Sequence, residues 1–356
     1  MKAAVYHGRW DVRVEEVAAP ELVEPDAVRL RVHHAALCGS DAAEYQSGPH
    51  AIPLATPHPA NRHVGPTILG HEFVGTVVEV GKNLEPSLVG SRMVSGAGVW
   101  CGACRHCRGG RPNLCRRYYT VGLQAHGGLA EQVVVPARTC VLVPDEVPND
   151  AAATAQPLAV AVHALTRGRV TREDAVAVVG VGGIGALVVA AAHARGVSTL
   201  IAVDTDPGRL RSARSLGATH TFLAGDDHVV DRLRAATGGE GPDVVLETAG
   251  RQAALDLAVA ACRSGGRVVA VGTHGERPTV DVRAVTYREL ELLGTVAHIC
   301  ERDLREAVAL LATCAPLRRL GRRVISIDDV VDEGLAPLAA GEAREKIVVA
   351  VEPAAG

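Results

Sequence analysis

Four of the nine cysteines lie in one short stretch and share a metal-binding spacing. Cys101, Cys104, Cys107 and Cys115 follow the pattern C-x2-C-x2-C-x7-C. Four thiolates arranged tetrahedrally around Zn²⁺ form a closed structural site, because no coordination position is left for a substrate. Clustered cysteines in a reducing compartment indicate metal binding rather than disulfides. We therefore predict a structural zinc site in a lobe at about residues 95–117.

A second pair of possible metal ligands is spread over two short motifs. Cys38 opens the sequence Cys-Gly-Ser-Asp after one predicted strand, and His71 lies in Gly-His-Glu before another. A thiolate and an imidazole are ligands of catalytic zinc sites, in which an open position admits a substrate oxygen. Taken alone, one cysteine and one histidine are more often structural than catalytic.

A glycine-rich turn predicts a dinucleotide site. It follows the apolar strand AVAVV and opens a predicted helix, which is the context in which G-x-G-x-x-G is specific. The glycines allow a tight turn, close approach of the backbone to a pyrophosphate, and close packing of helix on strand. The helix N-terminus attracts the anion. The motif comprises Gly180, Val181, Gly182, Gly183, Ile184 and Gly185.

The next strand carries a signal for the form of the cofactor. Asp204 ends that strand, 19 residues after Gly185. A carboxylate at this place accepts hydrogen bonds from ribose hydroxyls and repels a 2′-phosphate, so we predict NAD rather than NADP. Arg209, five residues further on, is the feature that would favour NADP.

The elements that must position these groups fall into three stretches of sequence. Residues 1–152 read as short strands with alternating apolar residues, interrupted by Pro and Gly. Residues 153–296 alternate strands and helices, which is typical of a doubly wound parallel sheet. Residues 297–356 hold one helix and two short strands, too few elements for an independent core, so we expect this segment to return to the first domain. The predicted fold class is α/β with two domains.

Composition excludes several classes of protein. The formal net charge is −3 and only 3% of the 356 residues are aromatic. A nucleic-acid binder would need a basic surface or aromatic stacking platforms, so we expect no nucleic-acid partner. No N-terminal stretch resembles a signal peptide and no apolar run reaches the length of a membrane helix. We therefore expect a cytoplasmic protein with no membrane partner.

Read in order, the motifs resemble one enzyme family. They are CGSD, the loop GPHAIPLATPHPANRHVGP, GHEFVGTVVEVG, the four-cysteine lobe, QPLAVAVHAL, GVGGIG and VDTDPGRL. Together they resemble the zinc-dependent medium-chain dehydrogenase/reductase superfamily, and within it the 2,3-butanediol, sorbitol and threonine dehydrogenase branch. The resemblance implies a GroES-like catalytic domain built from 1–152 and 297–356. It also implies a Rossmann domain in between, an active site in the cleft, and a homodimer or homotetramer joined through the strand LELLGTVAH.

The resemblance also implies roles for residues at the second site. Cys38 and His71 would be ligands of a catalytic zinc. Ser40 would pass the alcohol proton toward cofactor and solvent, and Asp41 would orient His71. Glu72 would lie beside the metal or act as an exchangeable ligand.

Two positions depart from the family pattern. Gln156 stands where the branch usually has a glutamate that often serves as the third zinc ligand, and Ala43 stands where it has a histidine that extends the proton relay. Gln156 in that role would leave the zinc with about one additional positive charge and hold it less firmly. Glu72 would compensate by binding the metal, or the catalytic zinc has been lost. Loss of the histidine removes a general base, which water or a substrate hydroxyl would replace.

Three functions follow from these features. The first is a zinc- and NAD-dependent dehydrogenase acting on a secondary alcohol, such as a vicinal diol, polyol or hydroxyketone. The second is a specialised biosynthetic dehydrogenase or reductase with altered or absent catalytic zinc, which oxidises a cyclitol or aminosugar or carries out a conjugate reduction. The third is a non-catalytic NAD(H)-binding protein.

Overall fold

A computed structural model describes residues 1–351 of the chain, which fall into two compact units. The strands are β1 (Lys2–Gly8), β2 (Asp11–Glu16), β3 (Ala27–Ala36), β4 (Thr67–Ile68), β5 (Glu72–Val80), β6 (Arg92–Ser95), β7 (Gly98–Val99), β8 (Tyr119–Thr120), β9 (Gln132–Pro136), β10 (Cys140–Leu142), β11 (Ala175–Val179), β12 (Thr199–Asp204), β13 (His220–Leu223), β14 (Val244–Glu247), β15 (Arg267–Ala270), β16 (Glu291–Gly294), β17 (Arg322–Ser326) and β18 (Lys346–Ala350). The helices are α1 (Gly39–Ser47), α2 (Arg105–Arg108), α3 (Asn149–Ala152), α4 (Ala155–Arg167), α5 (Gly183–Ala194), α6 (Pro207–Ser215), α7 (Val229–Ala235), α8 (Gln252–Ala261), α9 (Val282–Tyr287), α10 (Arg305–Thr313), α11 (Ala315–Arg318) and α12 (Ala336–Ala339).

The first unit comprises Met1–Ala159, His298–Thr313 and Gly321–Gly356 as far as the chain is described, and it is rich in β-structure. Its largest sheet has seven strands in the order β10-β6-β5-β3-β18-β17, with β9 also pairing with β3. A three-stranded sheet, β2-β1-β4, and the short pair β7-β8 complete it. Apolar side chains that alternate along β3 and β5, such as Leu30, Val32 and Phe73, are buried in its core.

Strand β3 lies between the two strands that deliver the candidate site. On one side β5 runs antiparallel to it, with Glu72 opposite Ala36. On the other side β18 runs antiparallel, with Val348 also opposite Ala36. The sheet thus places the start of β5, the end of β3 and the start of β18 next to each other.

The second unit comprises Val160–Ala297 and Cys314–Leu320. It holds a six-stranded parallel sheet in the order β13-β12-β11-β14-β15-β16, which is the predicted doubly wound topology. The order reverses between β11 and β14, and such a switch point is where ligands bind in folds of this kind. The central strand β11 is nearly all buried, as expected for a strand covered on both faces.

The divisions between the units differ in detail from the predicted boundaries. The first falls within α4, after Ala159, and the second before His298. The expected return segment is interrupted, because Cys314–Leu320 belongs to the second unit. There α11 packs on α5 and Leu317 is buried, so the contacts of this short helix are with the Rossmann unit.

Within residues 1–351 the structure contains no helix long and apolar enough to cross a membrane.

Candidate active site

Cys38 is held at the junction between a strand and a helix. It follows β3 and is the residue that precedes α1. Asp41, the third residue of that helix, accepts a hydrogen bond from the backbone N–H of Cys38 at 2.8 Å. An acidic side chain at this position satisfies an exposed donor and favours the helix start. The local sequence therefore fixes where the Cys38 thiol is presented.

His71 is positioned by the glycine that precedes it. Gly70 has a φ of +95°, and a Cβ there would lie 2.6 Å from the backbone nitrogen of Leu129. Both facts exclude a side chain, so only glycine lets the chain turn here into β5. His71 is then buried at the start of that strand.

The first unit brings Cys38, His71 and Glu72 into one group. One potential ligand atom from each lies within 4.8 Å of the others. Ser40 Oγ is 3.5 Å from His71 Nε2, and Asp41 Oδ1 is 3.4 Å from Nδ1 on the other side of the ring. The carboxylate draws the ring proton to Nδ1, which leaves the lone pair of Nε2 available to a metal.

Charge at this group fits a divalent cation. The carboxylates of Asp41 and Glu72 and a Cys38 thiolate would give three negative charges, against one positive charge on Lys346, whose Nζ lies 2.6 Å from Glu72 Oε2. Within residues 1–351, Glu72 Oε1 and Asp41 Oδ1 are buried without a hydrogen-bond partner. One dication would balance the two excess negative charges and give Glu72 Oε1 a partner.

The pKa shifts in the group of Cys38, His71 and Glu72 reflect the same concentration of charged side chains. Burial works against a charged His71, but the negative charges of Asp41 and Cys38 outweigh it and raise the pKa of His71 well above its ordinary value. Burial raises the pKa of Glu72, and the opposing positive charges of Lys346 and His71 do not cancel that effect. Burial would lower the pKa of Lys346, but Glu72, Cys38 and Asp41 raise it, so the ammonium stays charged.

The four-cysteine lobe has the dimensions of a zinc site. The Sγ–Sγ distances are 3.5 Å for Cys104–Cys107, 3.9 Å for Cys104–Cys115 and 4.0 Å for Cys101–Cys107. Tetrahedral Zn–S bonds of about 2.3 Å require S···S separations of about 3.8 Å, so a zinc ion fits without rearrangement. The backbone N–H groups of Cys101 and Arg117 each donate to Cys115 Sγ at 3.3 Å.

Thiols in the lobe differ strongly in acidity. Hydrogen bonds from the backbone N–H groups of Cys107 and Arg116 lower the pKa of Cys104 to about 5. Burial and the neighbouring thiols raise the pKa of Cys107 to about 12. Four thiols this close cannot all ionise without a cation, and a metal ion resolves the conflict.

The glycine turn in the second unit has the shape of a pyrophosphate cradle. Gly180 has a φ of +90° and a Cβ there would approach Ala249, whereas a Cβ on Gly185 would lie 1.9 Å from the carbonyl oxygen of Gly180. Gly183, at the start of α5, has open space in front of it. Gly183 is exposed at this helix start, where the free N–H groups of a helix attract an anion.

Comparison with known proteins also indicates a zinc-type dehydrogenase. A family model described as zinc-binding dehydrogenase matches residues 183–313, and one described as alcohol dehydrogenase GroES-like domain matches residues 24–145. (R,R)-butanediol dehydrogenase of Bacillus subtilis (strain 168) is 33% identical over 352 residues, which are 98% of this chain and 99% of that protein. The chain belongs to the zinc-dependent medium-chain dehydrogenase/reductase family.

Solved structures of this dehydrogenase family share the fold along the whole chain. The crystal structure of 2R,3R-butanediol dehydrogenase from Bacillus subtilis has a TM-score of 0.89 and 30% identity, with 99% of both chains covered. A zinc-binding dehydrogenase from Sinorhizobium meliloti 1021, solved bound to NADP, has a TM-score of 0.86 and 30% identity, with 98% of this chain and 99% of that chain covered. The predicted combination of a GroES-like domain with a Rossmann-like domain is confirmed.

Asp204 of this dehydrogenase makes hydrogen bonds within the protein that the sequence does not predict. Its Oδ2 accepts the backbone N–H of Val181 at 2.7 Å and its Oδ1 accepts that of Asp206 at 2.9 Å. The side chain is only 4% exposed, whereas that of Arg209 is 41% exposed, with Nη1 3.8 Å from Asp204 Oδ1. Asp204 thus fixes the glycine turn, and Arg209 presents a positive charge beside it.

The two departures from the family pattern both lie on helices. Ala43 is half-buried on α1, and its carbonyl oxygen accepts a hydrogen bond from Ser47 Oγ at 3.1 Å. Gln156 is the second residue of α4 and is also half-buried.

Sequence reasoning missed Lys346. The available signal was composition, because Lys346 is one of only three lysines in a chain that otherwise uses arginine. Its pairing with Glu72 depends on strand register across most of the chain, which no local pattern specifies.

Proposed function

We propose that this zinc-type dehydrogenase transfers hydride between NAD and a secondary alcohol or its ketone, with a vicinal diol, polyol or hydroxyketone as substrate. The observation that carries the proposal is the group of Cys38, His71 and Glu72, in which the histidine and the glutamate are buried, with the hydroxyl of Ser40 beside the His71 ring. The similarity to (R,R)-butanediol dehydrogenase over 98% of the chain supports the substrate class.

Each residue of the group has a task in that reaction. Zinc held by Cys38, His71 and Glu72 supplies Lewis acidity toward the substrate oxygen. Asp41 keeps the His71 ring in the orientation that this binding needs. Ser40 Oγ lies next to His71 Nε2, where it receives the proton of the alcohol and passes it outward. Gln156 remains an alternative third ligand in this proposal.

The side chain at position 43 bears on the choice of substrate. Ala43 cannot accept a proton, so the relay that begins at Ser40 lacks the histidine that the family branch usually has at this position of α1. A vicinal diol carries a second hydroxyl next to the reacting carbon, and that hydroxyl can take the place of the absent side chain. The same residue motivates the second candidate function, a specialised enzyme acting on a cyclitol or aminosugar, which also offers neighbouring polar groups.

We infer NAD as the form of the cofactor from the position of Asp204 at the end of β12. A 2′-phosphate placed near its carboxylate would meet a buried negative charge. Arg209 and the NADP-bound relative support the opposite choice, so both cofactors must be tested. We also propose a cytoplasmic homodimer or homotetramer, in which the four thiols of the lobe stay reduced until they bind zinc.

The proposal is tested by metal content and a substrate panel. We expect about two zinc ions per chain by elemental analysis, and reduction of NAD with 2,3-butanediol or sorbitol, followed by absorbance at saturating cofactor. Activity confined to cyclitols or aminosugars would support the specialised enzyme. Tight cofactor binding without turnover of any alcohol or ketone would support the non-catalytic protein instead.

A further inference from the structure

Lys346 forms a buried ion pair with a residue of the candidate metal group. Its Nζ lies 2.6 Å from Glu72 Oε2, and the two side chains are 18% and 1% exposed. A buried ammonium is costly unless an anion compensates it, so the pair is maintained by both partners. None of the roles described so far accounts for this lysine.

The pair is asymmetric at the carboxylate. Lys346 contacts Oε2, whereas Oε1 is buried and has no hydrogen-bond partner within residues 1–351. Both side chains project from strands of one sheet, since β5 and β18 each pair with β3 at Ala36. The orientation of the Glu72 carboxylate is therefore set by rigid elements rather than by a loop.

We propose that Lys346 is a positioning residue that retains one oxygen of Glu72, so that the carboxylate offers only Oε1 to the metal and a coordination position stays open for the substrate oxygen. The inference rests on the proposed function, which supplies the metal. It deepens that function by naming the group that limits how Glu72 can bind.

The inference predicts an effect opposite to that of a merely structural ion pair. Removing the ammonium leaves the buried group one charge more negative and frees both Glu72 oxygens, so the metal is held more tightly and substrate enters less easily. An ion pair needed only for packing would, when broken, loosen the strands and release the metal faster.

Two substitutions separate these possibilities. Lys346→Met keeps the length of the side chain and removes the charge. Lys346→Arg keeps the charge, but its planar fork pairs with both carboxylate oxygens and withdraws Oε1 from the metal. Lys2→Met is the matched control, because it breaks an exposed pair with Asp328 at 2.9 Å in the same unit.

The measurement is the rate of zinc release from the holoenzyme to excess dipicolinate, followed with a zinc-sensitive dye. The kinetic phase of zinc release that the wild type shows and Cys38→Ser lacks reports release from the group of Cys38, His71 and Glu72. Because the electrostatic attraction for a dication grows with each added negative charge, we expect Lys346→Met to slow that phase about tenfold. We expect Lys346→Arg to accelerate it and Lys2→Met to leave it unchanged.

Two further readouts accompany the release rate. In the Co²⁺-substituted enzyme, the visible bands assigned to this site by difference from Cys38→Ser should change in intensity for Lys346→Met, because an added carboxylate oxygen alters the coordination. The KM for the alcohol should rise more than kcat falls, because entry of the substrate oxygen is what is obstructed.

Faster or unchanged release from Lys346→Met, with Lys346→Arg like the wild type, overturns the inference and leaves the proposed function intact. Should Lys346→Met fail to fold, Lys346→Arg decides alone, since unchanged release from that variant contradicts the inference. A wild-type enzyme that holds one zinc and shows no phase assignable to Cys38 overturns both.

Discussion

At the scale of single residues, the candidate site is a balance of buried charges. The Lys346 ammonium shares a small space with the His71 ring, the Cys38 sulfur and the carboxylates of Asp41 and Glu72. From sequence, the charge of the site depends on the third ligand, and Gln156 in that role leaves the zinc with about one additional positive charge. Asp41 and Lys346 change that count, because with them a dication brings the buried group to neutrality without a glutamate at 156.

Replacing Cys38 by serine tests the assignment of the two metal sites. We expect zinc content to fall from about two to about one per chain, with no loss of the lobe metal. Since Lewis-acid stabilisation contributes several kcal/mol, kcat should fall by about a thousandfold. The matched variant is Cys104→Ser, which should lose the lobe zinc and lower the thermal midpoint. Equal destabilisation and an equal fall of kcat in both variants would contradict the division into a catalytic and a structural site.

A pH dependence of stability is expected at His63. Burial and the nearby His126 and His58 lower its pKa from 6.5 to about 4, while Nε2 lies 2.8 Å from Thr67 Oγ1. The unfolded chain therefore binds a proton that the folded chain excludes between these pH values. The contribution of His63 to stability is fully present above about pH 6.5 and is lost as the pH falls toward 4.

The variant His63→Gln measures that contribution. It should lose less unfolding free energy between pH 8 and pH 5 than the wild type does, as measured by urea denaturation at both values. His228→Gln is the control, because that ring is 79% exposed. An identical pH dependence of the wild type and His63→Gln would show that folding does not lower the pKa of His63.

At the scale of elements, local sequence patterns predict individual strands and helices, but they do not predict which distant strands pair. Alternating apolar residues predicted strands β1, β3 and β5, and the glycine turn predicted α5 after β11, because these signals lie within a dozen residues. The contact between Glu72 and Lys346 arises from β18 pairing with β3, far along the chain. Likewise, the backbone donors that engage Asp204 come from the folded turn itself.

Two glycines of the turn offer a matched comparison. Gly185→Ala would place a Cβ 1.9 Å from Gly180 O, so α5 must move away from β11. We expect this variant to lose about 1–3 kcal/mol of stability, as in other overpacked sites, and to bind NADH more weakly. Gly183→Ala meets nothing within 4 Å, so stability should be unchanged or rise by up to about 1 kcal/mol. Equal stability of the two variants, measured by denaturation, would contradict this packing.

At the scale of the whole molecule, each unit carries one part of the chemistry. The first holds both candidate metal groups, and the second holds the glycine turn with Asp204 and Arg209. The second unit also ends its sheet with β16, an edge strand on which Leu292 is 43% exposed. An exposed apolar edge is a natural surface for a second copy of the chain.

Charge placed on that edge should reduce assembly. We expect the wild type to be a dimer or tetramer by light scattering, and Leu292→Lys to shift it toward a smaller species, because the lysine would be buried against the partner. Val89→Lys is the control, since that side chain is 49% exposed on the first unit. A wild-type mass unchanged by Leu292→Lys would exclude β16 as the contact.

The return of β18 to β3 also has a consequence during synthesis. The ribosome produces Cys38 and Glu72 early, then the whole parallel sheet of the second unit, and only afterwards the strand that bears Lys346. Until then the edge of β3 near Ala35 has no β18 to pair with, and Glu72 lacks its ammonium partner. Folding of the first unit is thus delayed by long-range pairing, while the second can form as its sequence emerges. The candidate metal group of Cys38, His71 and Glu72 thus acquires its final charge balance as one of the last steps in the maturation of the protein.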